Sequence, residues 1–194
     1  MYTSCNYACQ PGFNASCALC CGSHNYKASF HDIDALFKER FKFFSNMLAK
    51  SNDIVSALKA CYQELSHMTL PAIHPDATQC PFVAYTDSSH TIIGCLLYPY
   101  CTNFDYRSLF MGAICKTFSC SVNTAHYADR IQTAAKRCGD WYYYSLIIHD
   151  MDLLDLLCNS PAEHTIEECK QKAATMLQNQ KACSTGIITK DTAK

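Results

Sequence analysis

Fifteen cysteines among 194 residues dominate this sequence. The stretch CALCCGSHN contains Cys17, Cys20 and Cys21, and Cys5 and Cys9 lie a few residues upstream. Such a density of sulfur serves either a disulfide framework in an oxidising compartment or thiolates that hold metal. The number is odd, so full pairing within the chain is impossible, and a disulfide between adjacent cysteines is strained. A chain of this length can also bury enough apolar surface to fold without disulfide bonds. We therefore favour metal binding.

Composition narrows the class of protein further. Hydrophobic residues make up 49% of the chain and charged residues 17%, which is an ordinary globular balance. The net charge is -1, and no basic stripe interleaves with aromatics, so we expect no nucleic-acid partner. No apolar run reaches the roughly 20 residues of a bilayer span. The start MYTSCNYACQPGF has neither the basic nor the apolar region of a secretory signal, so we expect a soluble, cytoplasmic protein without membrane contact.

The cysteines divide into clustered and isolated ones. The first cluster is Cys5, Cys9, Cys17, Cys20 and Cys21, and the second is Cys80, Cys95, Cys101, Cys115 and Cys120. The isolated ones are Cys61, Cys138, Cys158, Cys169 and Cys183. Four of these five, Cys61, Cys158, Cys169 and Cys183, follow apolar residues at helical spacing, and a reduced cysteine behaves as a small buried hydrophobe. We expect the isolated cysteines to be structural.

Between the two clusters, two amphipathic helices are predicted. The first has an apolar stripe at Phe30, Ile33, Phe37, Phe41, Phe44 and Leu48, and Ser29 and Asp32 have capping-box spacing before it. The second begins near Ser51 or Asn52 and runs to about Met68, with Ile54, Leu58, Cys61 and Leu65 on one face. Two β-prone runs, Phe82 to Tyr85 and Thr91 to Leu97, flank the turn-forming TDSSH and predict a small hairpin.

The last third of the chain is predicted to be helical. One helix runs from about Asn123 to Gly139, the next through DWYYYSLIIHDMDLLDLLC to NSP, and the last from about Ala162 to Cys183. In the last helix Ile166, Cys169, Ala173, Met176 and Cys183 share a face. The fold class is therefore mainly α, one domain over 1–194, with an irregular Cys-rich metal-binding portion at about 1–122 that includes the hairpin. A helical portion at about 123–185 and a frayed tail at 186–194 follow.

The spacing within the clusters suits thiolate ligation. Short CxxxC and CxxCC spacings bring sulfurs to one ion at little loop-closure cost. Five thiols exceed the four of one tetrahedral zinc, and ten could complete two sites. The predicted ligands are Cys5, Cys9, Cys17, Cys20, Cys21, Cys80, Cys95, Cys115 and Cys120. Cys101 is a further candidate, as is His24, which follows Cys21 by three residues.

A family resemblance lies in these same residues: the N-terminal CxxCC, the later CPF, the hairpin with GCLLYP, and FDYRSLFMGAICKTFSC. Over about residues 5–120 the chain resembles the Cys-cluster proteins described as zinc- or iron-chelating domains. The resemblance implies that Cys17, Cys20, Cys21, Cys80, Cys95 and Cys115 chelate metal. The chain departs from the family pattern in running CxxCC without a spacer, and in having Cys5, Cys9, Cys101 and Cys120 as well.

The expected function is metal binding by one or two thiolate-ligated centres. Both zinc and iron-sulfur clusters accept four cysteines, but the spacing does not match the bacterial ferredoxin run, so zinc is preferred. The purpose is structural, redox or metal handling. The alternatives are an enzyme whose metal has an open coordination position, a Cys–His nucleophile, and a disulfide-stapled secreted protein. Asp105 and Arg107 are expected to form an ion pair, with Arg107 offsetting thiolate charge.

Overall fold

A computed structural model describes residues 8–77, 79–98, 105–110, 115, 120–122, 124–160 and 163–184. Within them lie six α-helices and a two-stranded antiparallel sheet, so the predicted mainly α class with a small hairpin is confirmed. The elements are α1 (Phe30–Lys50), α2 (Ile54–His67), β1 (Val83–Tyr85), β2 (Ile93–Cys95), α3 (Ala128–Cys138), α4 (Trp141–Ile147), α5 (Met151–Asn159) and α6 (His164–Ser184). The predicted tail, 186–194, lies outside the described residues.

Helix α1 begins as its sequence predicts. The backbone N–H of Asp32 donates to the Ser29 hydroxyl at 3.2 Å, and the backbone N–H of Ser29 donates to the Asp32 carboxylate at 3.1 Å. This reciprocal pair satisfies two backbone donors at the helix start. Most of the predicted stripe is buried or half-buried, but Phe30 is 48% exposed because it lies in the first turn at the edge of the core.

Helix α2 begins after Asp53, whose carboxylate accepts hydrogen bonds from the backbone N–H groups of Val55 and Ser56. Its buried face contains Leu58, Cys61 and Leu65, as predicted. The hairpin follows, with Val83 opposite Cys95 and Tyr85 opposite Ile93. The Asp87 carboxylate accepts from the backbone N–H groups of Thr91 and Ile92, which fixes the turn.

The main difference from the prediction among the C-terminal helices is a break within one of them. The run DWYYYSLIIHDMDLLDLLC was predicted as one helix, but the structure divides it into α4 and α5. The second helix has its own N-cap, because the Asp150 carboxylate accepts from the backbone N–H of Leu153 at 2.9 Å. Asp is a strong N-cap residue because it supplies an acceptor to these otherwise unpaired donors. Residues 148–150 therefore form a turn that exposes one side of His149.

Helix α6 starts two residues later than predicted, at His164. Its buried stripe is Cys169, Ala173 and Leu177, at spacings of four residues. The prediction that Met176 lies on this face is wrong, since Met176 is 43% exposed. Leu177 takes that place in the core because it continues the i, i+4 series.

Two apolar cores result. The first contains α1, α2, the hairpin and Trp141, and the second contains α3 to α6 together with Ala8, Ala15 and Cys17. Tyr143 and Leu146 of α4 pack against both. The N-terminal loop, residues 8–25, contributes side chains to both cores, which places its cysteines beside α4 and the hairpin.

A buried arginine joins α1 to the start of the hairpin. Arg40 is 1% exposed, and its guanidinium donates to three backbone carbonyl oxygens. These belong to Met68 at 2.7 Å, Cys80 at 3.2 Å and Val83 at 3.1 Å. A buried charge requires such partners, so Arg40 fixes the backbone around Cys80.

Candidate metal centre

The two cysteine clusters of the sequence meet in the structure. Leu19–Cys21 form a short 3-10 helix, closed by Gly22 in the left-handed conformation at φ 88°. The backbone N–H of Cys80 donates to the carbonyl oxygen of Cys21 at 3.0 Å. This bond ties the N-terminal loop to the segment that opens the hairpin, and it brings together cysteines that are almost 60 positions apart in the chain.

Four of the predicted ligands, Cys21, Cys80, Cys95 and Cys115, form what we call the hairpin cluster. Burial is the main reason that the pKa of Cys80 rises to about 11 and that of Cys95 to about 12. The charge of Cys80 raises the pKa of Cys95 further, and Cys115 acts on both. The pKa of Cys21 is raised first by its hydrogen bond with Cys20, then by burial and by the charges of Cys80 and Cys95. Cys80 and Cys115 thus act on Cys95, and Cys80 and Cys95 act on Cys21.

Arg107 flanks the hairpin cluster. Its guanidinium pairs with Asp105 at 2.8 Å, which confirms the predicted ion pair, and it donates to the carbonyl oxygen of Cys115 at 3.0 Å. It also lies 4.5 Å from the centre of the Tyr98 ring. Its charge lowers the pKa of Cys95 and Cys115 against the effect of burial. Arg107 is therefore a fixed cation that favours thiolate at this place.

A second convergence involves a histidine. The Sγ atom of Cys17 lies 3.6 Å from Nε2 of His149, and the Sγ atom of Cys120 lies 4.0 Å from the same nitrogen. We call Cys17, Cys120 and His149 the His149 cluster. Cys17 is buried, whereas Cys120 and His149 are half-buried. Burial lowers the pKa of His149, which favours the neutral imidazole that metals bind.

Cys9 and Cys20 lie between these clusters. The backbone N–H of Cys17 donates to the carbonyl oxygen of Cys9 at 2.9 Å, and the charges of Cys20 and Cys120 add to burial in raising the pKa of Cys9 to about 12. Cys20 is exposed, and its Sγ lies 3.9 Å from that of Cys21. The hydrogen bond from Cys21 outweighs burial and lowers the pKa of Cys20 to about 7.

His24 has no free ring nitrogen. It is 4% exposed, its Nε2–H donates to the carbonyl oxygen of Tyr142 at 3.0 Å, and Nδ1 accepts from the Ser23 hydroxyl at 2.9 Å. Its ring packs on those of Trp141 and Tyr142. Burial lowers the pKa of His24 to about 4, so it is a neutral core side chain. The candidates Cys5 and Cys101 lie outside the described residues.

The isolated cysteines have the expected surroundings. Cys61, Cys138 and Cys169 are buried in the helical cores, and Cys158 is half-buried with its thiol donating to the carbonyl oxygen of Arg130. The Cys183 side chain lies outside the described residues. Every cysteine side chain that the structure does describe is a free thiol.

His149 was missed by sequence reasoning because the run around it was predicted as continuous helix. The HD pair before MDLLDLL was the available signal, since Asp150 with Asp152 is typical of a helix start. Neither cluster is a formed site: in the described part of the chain, no three His, Cys, Asp or Glu side chains are grouped so that they could hold a metal ion as they stand.

Comparison with known proteins finds no family model, no curated protein and no solved structure that matches this chain. Among the residues that the structure describes, none of the helices has both the length and the apolar character that a bilayer span requires.

Proposed function

We propose that this chain is a metal-binding protein with a thiolate-ligated centre at the hairpin cluster. One observation carries the proposal: the backbone N–H of Cys80 donates to the carbonyl oxygen of Cys21 at 3.0 Å, next to Cys95 and Cys115, whose charges act on the same group of thiols. Four thiols in that arrangement repel one another as thiolates, and a bound cation removes the repulsion. The likeness to the Cys-cluster zinc- or iron-chelating proteins supports the same cofactor class and stays a proposal.

Two features favour a site that serves metal rather than packing. The backbone around Cys80 is held by Arg40 and by the bond to Cys21, so the loop does not depend on the thiols for its shape. Arg107 is placed beside the cluster, where a positive charge favours thiolate. Because the four side chains are not grouped as a formed site, metal binding requires them to rotate inward.

We propose zinc as the metal, in a reducing, cytoplasmic compartment, with iron-sulfur as the alternative. Zinc bound by four thiolates has no open position and stabilises the fold. Free thiols throughout the described residues are in keeping with a reducing compartment. A Cys–His nucleophile is disfavoured, because Cys17 beside His149 is buried and its pKa is raised rather than lowered. We name no reaction.

The test is metal analysis of the full chain purified without oxygen. We expect zinc and no visible absorption in the wild type, and one equivalent less in Cys95→Ala. Cys61→Ala is the matched control, because Cys61 is also a free thiol with a raised pKa, but burial alone raises it and no thiol of the described residues contributes. Iron with acid-labile sulfide would change the metal to an iron-sulfur cluster. A wild type without stoichiometric metal would overturn the proposal.

A further inference from the structure

The turn between α4 and α5 places an imidazole nitrogen beside two cysteines from distant parts of the chain. Cys17 is in the N-terminal loop and Cys120 belongs to the second cluster, yet both sulfurs lie within 4.0 Å of Nε2 of His149. Neither the spacing of the cysteines nor the family likeness points to His149.

The two sulfur–nitrogen distances are close to those of a tetrahedral zinc site. With Zn–S of about 2.3 Å and Zn–N of about 2.0–2.1 Å, a sulfur and a nitrogen bound to one tetrahedral zinc lie about 3.6 Å apart. The separation from Cys17 is 3.6 Å, and that from Cys120, at 4.0 Å, is a few tenths of an ångström longer. Because the three side chains are not grouped as a formed metal site, binding requires the half-buried Cys120 side chain to move towards His149.

A fourth ligand is available in Cys9. Its backbone is bonded to that of Cys17, and its thiol is within electrostatic range of Cys17 and Cys120. Cys9, Cys17 and Cys120 all act electrostatically on the hydroxyl of the buried Tyr144, which donates to the carbonyl oxygen of Ala8. These three thiols therefore lie near the same buried hydroxyl, as does Cys138 of α3.

We infer that the chain has a second metal centre, in which Cys17, Cys120 and Nε2 of His149, with Cys9 as the fourth ligand, bind one divalent ion of the zinc class. The inference rests on the proposed function, because both centres need reduced thiols and a thiophilic metal. A mixed sulfur and nitrogen shell suits zinc, which accepts both donors in structural sites. The chain then holds two ions with different shells.

The test uses the full-length protein, stripped of metal and titrated without oxygen with isotopically enriched cadmium as a zinc substitute. Native mass spectrometry counts the ions, and the ¹¹³Cd resonance of each site reports its shell, moving upfield when nitrogen replaces sulfur. We expect two ions in the wild type and two resonances, of which one lies upfield of the other.

His149→Ala should lose the upfield resonance, and the affinity of that site should fall by more than about 100-fold, since altering even an outer-shell partner costs 10–100-fold. His149→Cys should bind two ions again, with the resonance moved downfield, which a merely structural histidine would not produce. His67→Ala is the control, because His67 is exposed at the end of α2. Cys120→Ser, at a half-buried position, provides a second variant if His149→Ala fails to fold.

The outcomes separate the two proposals. Two ions with a spectrum that His149→Ala and Cys120→Ser leave unchanged would overturn the mixed centre and leave the hairpin centre standing. A single ion that is lost in Cys95→Ala and kept in His149→Ala would do the same. No cadmium or zinc bound by the wild type would overturn both.

Discussion

Cysteine occurs in two settings in this molecule, in the loops around the hairpin and in the helical cores. Cys80, at the start of the hairpin, and Cys61, in α2, are both buried in the first core, and the pKa of each thiol is raised to about 11. Burial alone accounts for Cys61, whereas Cys80 also responds to the charges of Cys115 and Cys20. Burial therefore does not separate Cys80 from Cys61, whereas the charges of other thiols do.

Removal of metal should lower the free energy of unfolding more than any substitution discussed below. This loss should depend on the clustered cysteines and not on the isolated ones. We expect a strong chelator to lower the free energy of unfolding of the anaerobic protein by about 4 kcal/mol or more, relative to a free metal concentration a thousandfold above Kd. Urea unfolding followed by circular dichroism measures it. Cys61→Ala should respond to chelator as the wild type does, and equal unfolding curves with and without chelator would contradict the expectation.

Arg40→Leu should be the most damaging single substitution near the clusters. It leaves the carbonyl oxygens of Met68 and Val83 without the guanidinium donor, while that of Cys80 keeps the backbone N–H of Val83, and each unsatisfied group costs about 1–3 kcal/mol. We expect a loss of roughly 3 kcal/mol or more in urea unfolding, and weaker metal binding because Cys80 moves. Lys38→Ala, on the same helix, removes one ion pair of an exposed lysine, while Asp34 keeps its hydrogen bond from Tyr85, and should change stability by less than about 1 kcal/mol.

Acid should weaken the attachment of the N-terminal loop to α4. Burial, with a smaller contribution from the charges of Lys181 and His149, lowers the pKa of His24 from 6.5 to about 4. The unfolded chain therefore binds the proton first, so stability is complete above pH 6.5 and falls as the pH drops towards 4. The loss approaches about 3 kcal/mol, at 1.36 kcal/mol for each pKa unit.

Unfolding curves between these pH values, measured in chelator so that metal release does not contribute, test the role of His24. His24→Phe keeps an aromatic ring that cannot be protonated. It should be less stable at neutral pH, since the carbonyl of Tyr142 loses its donor, but it should lose less stability on acidification. A pH dependence as steep as that of the wild type would show that His24 is not the group responsible.

Substitution of the isolated cysteines is expected to change stability least and to leave metal content unchanged. Cys61→Ala and Cys169→Ala each remove one buried sulfur from a helical core, which costs on the order of 1 kcal/mol in lost burial and packing. Metal content should stay at the wild-type value in both variants. If either variant loses an equivalent of metal, the division between clustered and isolated cysteines is wrong.

The parts of the fold that depend on local sequence were predictable. The Ser29–Asp32 capping box, the buried stripe of α2 and the hairpin all follow from short-range patterns, and the structure confirms them. The meeting of the two cysteine clusters was expected as a consequence of metal binding. In the structure it is supported by hydrogen bonds from Arg40 and the Cys80 backbone, which involve residues far apart in the chain.

The sequence did not predict the surroundings of His24 and His149. His24 was a ligand candidate because it lies three residues from Cys21, but it turns into the core and packs on α4. His149 lies within an apolar run whose helical periodicity predicts a continuous helix and gives no sign of the turn at 148–150. Tertiary contacts decide both cases, since one histidine finds a backbone carbonyl and the other finds two sulfurs from distant segments.

Helix α4 is short, so the direction in which His149 points depends on the exact number of residues in this helix. Between the Asp140 cap and the turn at 148–150 there are only seven helical residues, and each contributes about 100° of rotation and 1.5 Å of rise. A single residue inserted in α4 would swing His149 by more than a quarter of a circle, away from Cys17. We therefore expect homologous chains to tolerate insertions in the 86–92 hairpin turn far more readily than within 141–147.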